Sequence, residues 1–208
     1  MGEKNSFQPL TKQDRITVIL YRAGIFISAV IICLSALLAL KSVTGNNTQN
    51  YPAIISGSSM EIMLFVLYLG TGLSVFFIHL YVGKFYRMLK KIYYAAVICL
   101  GILFFLGNGN PAMPLFRIPP YGAILLMPLS LCLGFVTAKE AFCFKLLEGY
   151  ILAIVMPAYI FLFSIGALNA KNAAFGLSMI AALFVLFMFR KIFMPVHYDI
   201  GDKSAYQP

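Results

Sequence analysis

The chain has 208 residues, of which 61% are hydrophobic and 11% charged, and its formal net charge is +9. Soluble domains are roughly 45–50% apolar and about 25% charged, and a soluble fold of this length would have to wear much of its apolar surface outside, so water is excluded as its solvent. The basic residues fall in short segments between apolar runs, which fits orientation in a lipid bilayer and argues against nucleic acid as a partner.

The polar lead, residues 1–15, carries Glu3 and Asp14 beside its basic residues, and the apolar run behind it exceeds the roughly 7–15 residues of a signal-peptide core. It reads as a cytoplasmic lead before a retained first helix. A spanning helix needs about 20 mostly apolar residues. Six runs meet or approach that length, at residues 16–40, 62–82, 92–107, 121–138, 150–168 and 173–189. Helix is preferred to strand because the runs are long and lack the alternation of a barrel. Between runs one and two lies the polar "KSVTGNNTQNYP", and after run three the proline-rich "GNGNPAMPLFRIPP", neither of which continues a helix. Pro128 and Pro157 fall inside runs four and five, where each is expected to kink its helix; neighbouring helices filling the kinks is favoured over a cavity between them. "NAKN" is a tight link between runs five and six, with Asn172 as the expected N-cap. Residues 195–208 read as a flexible cytoplasmic tail.

The expected fold is therefore an all-α bundle of six transmembrane helices, residues 16–194. All the 16 Lys and Arg residues except Lys41, Arg117 and Lys171 fall on one set of ends. Basic loops stay inside, so both termini are expected in the cytoplasm of a bacterial inner membrane. Tyr81, Tyr86, Tyr93, Tyr94 and Tyr150 form the expected aromatic belt at that boundary. Small residues recur every fourth position at Gly70 and Ser74 and at Ala174, Ser178 and Ala182, a pattern that lets helices approach closely within the chain or between copies. Cys33, Cys99, Cys132 and Cys143 are scattered and suggest no disulfide framework.

Ionisable groups inside a span are costly and draw attention to function. Arg22, near the start of helix one, is expected to snorkel to the headgroups rather than to find a buried partner. His79, near the end of helix two, reads first as a hydrogen-bonded packing residue. The richest stretch is "TAKEAFCFKLLEGY", Thr137 to Tyr150. Its first helix breaker is Gly149, so helix four is expected to run that far, placing Glu140, Cys143 and Leu147 on one face. If helices two and four are neighbours, His79, Glu140 and Cys143 could converge as ligands for zinc or another transition metal, or as a proton relay tuned by Lys139. The competing reading is a Lys139–Glu140 or Lys145–Glu148 pair that anchors the link, and it is favoured because no HExxH or CxxC spacing is present.

"YR" in the first helix, "GLSVFFIHLYV" in the second and "KEAFCFKLLE" after the fourth resemble a family of bacterial integral membrane proteins known only as a domain of unknown function. The resemblance covers Tyr21 to Leu168. It implies that Arg22, His79, Lys139, Glu140, Cys143 and Glu148 match the family's polar positions, and it carries no activity. Three functions follow in order of preference. The first is a non-enzymatic scaffold or assembly factor working with a membrane protein partner or a second copy. The second is a small transporter or channel for a metal ion or proton, and the third an interfacial enzyme.

Overall fold

The computed structural model describes residues 11–44, 57–80, 82–115, 120–195 and 197–200. The polar segment 45–56, Tyr81, Arg117 and the tail beyond Ile200 lie outside the described residues, as does the lead up to Leu10. Six long helices follow in chain order: α1 (Lys12–Thr44), α2 (Gly57–Phe77), α3 (Gly83–Leu106), α4 (Met127–Phe144), α5 (Leu147–Ser164) and α6 (Ala170–Ile192). A final turn, α7 (His197–Ile200), ends the described chain, and two 3-10 segments, Met113–Leu115 and Tyr121–Leu126, sit between α3 and α4. Each long helix, with the 3-10 segment counted into the fourth, is long and apolar enough to cross a membrane. Their outer faces carry large apolar side chains such as Leu69, Ile98, Phe105, Ile154 and Met179. That surface is stable only against lipid or another protein.

Several boundaries differ from those expected, each for a physical reason. Charged residues end an apolar run but not a helix, because Lys and Arg are good helix formers. So α3 begins at Gly83, and its first turns hold Lys84, Arg87, Lys90 and Lys91. Conversely, α2 stops at Phe77, and Ile78, His79 and Leu80 are irregular although apolar. Tyr86 of α3 holds that end by donating to the carbonyl of Phe76 at 2.9 Å.

Helix four does not reach Gly149. It ends at Phe144, with Lys145 in the left-handed region at φ 54° and ψ 43°. The Leu146 N–H donates to the carbonyl of Ala141 at 3.2 Å, closing the helix end. Leu147 therefore belongs to α5 and does not extend the Glu140–Cys143 face. Gly149 serves packing instead: a Cβ there would stand 2.6 Å from the carbonyl oxygen of Thr137. Pro128 does not interrupt α4, because it occupies the first turn of that helix, where a missing N–H costs nothing. Pro157 does lie inside α5. At the head of α6 the N-cap is Asn169, whose side chain accepts the N–H of Asn172 at 2.8 Å. Asn172 is thus the capped residue and not the cap.

The bundle is pinched at one end and open at the other. α1 and α2 meet where Gly24 faces Gly70 and Ser74, so closely that a Cβ on Gly24 would lie 2.5 Å from the carbonyl oxygen of Gly70. The Gly70–Ser74 pair thus serves a contact within the chain. On α6, Ala174 is buried, Ser178 is half-buried and Ala182 is exposed, so that stripe rotates out of the interface. α4 and α5 meet at Gly134 against Ala153 and at Gly149 against Thr137 and Ala141. All these contacts lie in the half of the bundle that holds the start of α1 and the end of α6.

Candidate functional site

Two features stand out, and they lie in opposite halves of the bundle. The first is a buried charge cluster at the pinched end. Glu140 of α4 is fully buried, and its Oε1 accepts the Tyr21 hydroxyl from α1 at 2.7 Å and the Lys139 ammonium at 2.7 Å. Its second oxygen pairs with Lys191 of α6. Lys191 is itself buried, pairs also with Asp199 of α7, and stands 4.2 Å from the centre of the Phe144 ring. Asp199 in turn accepts from Arg22 Nε at 2.7 Å. The Arg22 guanidinium is completed by the carbonyls of Met194 at 2.6 Å and of Ile192 and Pro195 at 3.2 Å. Three cations and two carboxylates thus link α1, α4, α6 and α7 in one chain of contacts. A buried ion survives because its partners replace its water, and here every carboxylate meets more than one donor.

Arg22 therefore has a buried partner rather than a snorkelling side chain. The Lys139–Glu140 pair forms as the favoured reading expected, and Lys191, Tyr21 and Asp199 join it. Glu148 does not pair with Lys145; both its oxygens meet Arg190 of α6, at 2.8 and 2.9 Å. His79 lies on the irregular segment after α2, with Nε2 at 3.3 Å from the hydroxyl of Thr17 on α1. Cys143 is exposed. Among the described residues no three His, Cys, Asp or Glu side chains converge to hold a metal ion. His79, Glu140 and Cys143 are not assembled as a ligand set: the carboxylate is taken up by ammonium and phenol groups, and the imidazole faces α1.

Sequence reasoning missed Tyr21, Lys191 and Asp199 as site residues. Tyr21 directly precedes the flagged Arg22, and Lys191 follows a long apolar run that includes the fully buried Phe184 and Phe187. A charge trailing such a run was a usable signal, whereas Asp199, in a polar tail, gave none.

The second feature is a half-enclosed cavity of about 550 Å³ in the open half of the bundle. It lies among α1, α2, α4, α5, α6 and the 3-10 segment before α4, and its walls include Leu126, Leu129, Ser130 and Met156, the neighbours of Pro128 and Pro157. A cavity bordered by two proline kinks was the less favoured expectation; the structure contains a cavity near both prolines, but neither proline lines it. Among the described residues, none that lines it is Asp, Glu, Lys, Arg or His. Its hydroxyls donate to backbone carbonyls: Ser35 to Ile31, Ser42 to Ala39, Ser130 to Met127 and Tyr159 to Ala173. The wall is apolar in effect as well as in composition.

Residues 73–207 match the family described as uncharacterized integral membrane protein (DUF2301). The chain belongs to this family. The match begins within α2 and takes in Lys139, Glu140, Lys191 and Asp199, so it extends well past Leu168 into the tail, while Tyr21 and Arg22 precede it. The chain is also similar to an uncharacterized protein of Haemophilus influenzae, 26% identical over 212 residues, covering 100% of this chain and 99% of that one. No solved structure matches. This DUF2301 member is thus an integral membrane protein with six long apolar helices among its described residues and a relative in a bacterium.

Proposed function

We propose that the chain is a non-enzymatic membrane scaffold, an assembly or stability factor for a larger membrane complex. It would span a bacterial inner membrane with both termini in the cytoplasm. One observation carries this reading: the space and the charges are apart. A catalyst needs titratable groups facing the volume where its substrate sits. An ion carrier needs polar groups along its path, usually near the midplane. Here no charged side chain among the described residues lines the cavity, and the charges of the cluster pair with one another. Such a cluster fixes the mutual placement of four elements, which suits a protein whose outer shape is its function. The outer face of α3 offers a docking surface, because only 17% of its spanning window is buried and Tyr94, Ile98 and Phe105 project from it.

The test is native mass spectrometry of the protein released from mild detergent, beside proton-flux measurements in vesicles containing the chain alone. A stoichiometric complex with another membrane protein, or a homo-oligomer, broken by Ile98→Asp and with no flux, is expected. Saturable proton flux abolished by Glu140→Gln would replace the scaffold with a transporter.

A further inference from the structure

We propose that the cavity is a lipid site that holds one acyl chain of a membrane phospholipid, with the headgroup at the bundle face opposite the charge cluster. The inference is independent of the scaffold reading. It rests on size, depth and wall chemistry.

The volume of about 550 Å³ falls within the roughly 300–1,000 Å³ of small-ligand sites. Along α1 the lining runs from Ile31 to Ser42, about 16 Å at the rise of a helix. That is close to one leaflet, half of the roughly 30 Å hydrocarbon thickness. A chain anchored at the near headgroup layer would reach the floor made by Leu133, Met156 and Ile180.

Water is a poor occupant. The hydroxyls of Ser35, Ser42, Ser130 and Tyr159 are already donated to backbone carbonyls, and apolar cavities stay dry while accepting hydrocarbon guests. Vacuum is poorer still, since a void of this size forfeits dispersion contact on every wall. Met60, Met63 and Met156 among the lining residues supply flexible side chains that adapt to a mobile chain. Asn169, the N-cap of α6, puts a polar side chain at the mouth, suited to the ester region of a glycerolipid.

The geometry of the bundle explains why the site exists. Glycine contacts clamp α1 to α2 and α4 to α5 in the cluster half. The 3-10 segment Tyr121–Leu126 then stands in for helix beyond α4 in the other half. Helices clamped at one end and separated at the other leave a wedge, and in a bilayer its natural filler is the solvent itself, taken one chain at a time.

The experiment uses phosphatidylglycerol with a diazirine near the end of one acyl chain, in vesicles containing the full-length protein, with peptide mapping after photolysis. Labelling of Leu129, Met156 and Leu177 is expected. It should fall roughly ten-fold in Ser130→Phe and Ala174→Phe, since each ring displaces about two methylenes of guest. Ala182→Phe, on the exposed side of α6, should label as wild type. A parallel arm uses a diazirine isoprenyl phosphate; labelling of the lining by that probe alone would overturn the acyl assignment. Labelling confined to outer residues such as Leu34, Leu131 and Phe161 would overturn the site altogether. The wild-type map decides between these outcomes even if a filled variant fails to fold.

Discussion

Replacing Glu140 with glutamine tests whether the charge cluster holds the bundle together. Glutamine keeps the shape and can still accept from the Tyr21 hydroxyl, so the change isolates charge. Glu140 is fully buried, Lys191 is nearly so, and the Lys139 side chain is 10% exposed. Lys191 retains Asp199 after the change, but the Lys139 ammonium loses the carboxylate it pairs with. Removing one partner of a buried ion pair costs about 3–5 kcal/mol, mostly through the charge left behind. For a chain of this length each kcal/mol moves the melting temperature by about 2–4 °C, so the expected drop is about 6–20 °C. The assay is thermal melting in detergent, followed by size-exclusion chromatography of the heated protein. Glu140→Gln combined with Lys139→Gln restores the balance of charge and should recover more than half of the loss, a non-additivity expected of partners in contact. High salt should change little, because the pair is shielded from mobile ions. A shift below about 2 °C for the single variant, or simple additivity in the double, would refute the argument that the carboxylate compensates Lys139.

Two further outcomes follow from backbone geometry. Gly24→Ala should destabilise by roughly 1–3 kcal/mol, because the new Cβ meets the backbone of α2 on both the Gly70 oxygen and the Ser74 nitrogen; an unchanged melting temperature would show that the two helices separate freely. Lys145→Gly should stabilise by up to about 1 kcal/mol, since the residue holds a left-handed conformation that glycine adopts without strain; a lower melting temperature would reveal a role for the lysine side chain.

The six helices could be read from the sequence because lipid imposes long apolar runs, and that signal needs no knowledge of packing. Their ends could not, because apolarity marks the bilayer while the helix obeys hydrogen bonding. Lys84 to Lys91 are helical and charged, and Ile78 to Leu80 are apolar and irregular. The Lys139–Glu140 pair was legible since its partners adjoin in the chain. Its extension to Lys191, Asp199 and Arg22 was not, because those contacts join residues up to 177 positions apart. The expected loose tail has the same cause: nothing in "HYDI" announces that Asp199 is buried against two basic side chains. The cavity was hinted at by two prolines, yet it arises from helix separation set by distant glycine contacts, which a one-dimensional reading does not supply.

The order of the charges along the chain bears on biogenesis. Glu140 follows Lys139 directly, and Lys191 precedes Asp199 by eight residues. As the nascent chain leaves the ribosome, each carboxylate is delivered to the insertion machinery together with an ammonium of its own. The hairpin of α4 and α5, joined by only Lys145 and Leu146, can enter the bilayer with a self-neutralised dipole at its base. Arg22 is synthesised long before Asp199 and lacks that partner until α7 arrives. Lateral closure of the bundle is thereby tied to the arrival of α7, and a nascent chain truncated before Asp199 would hold an unclosed first helix, open to quality-control proteolysis.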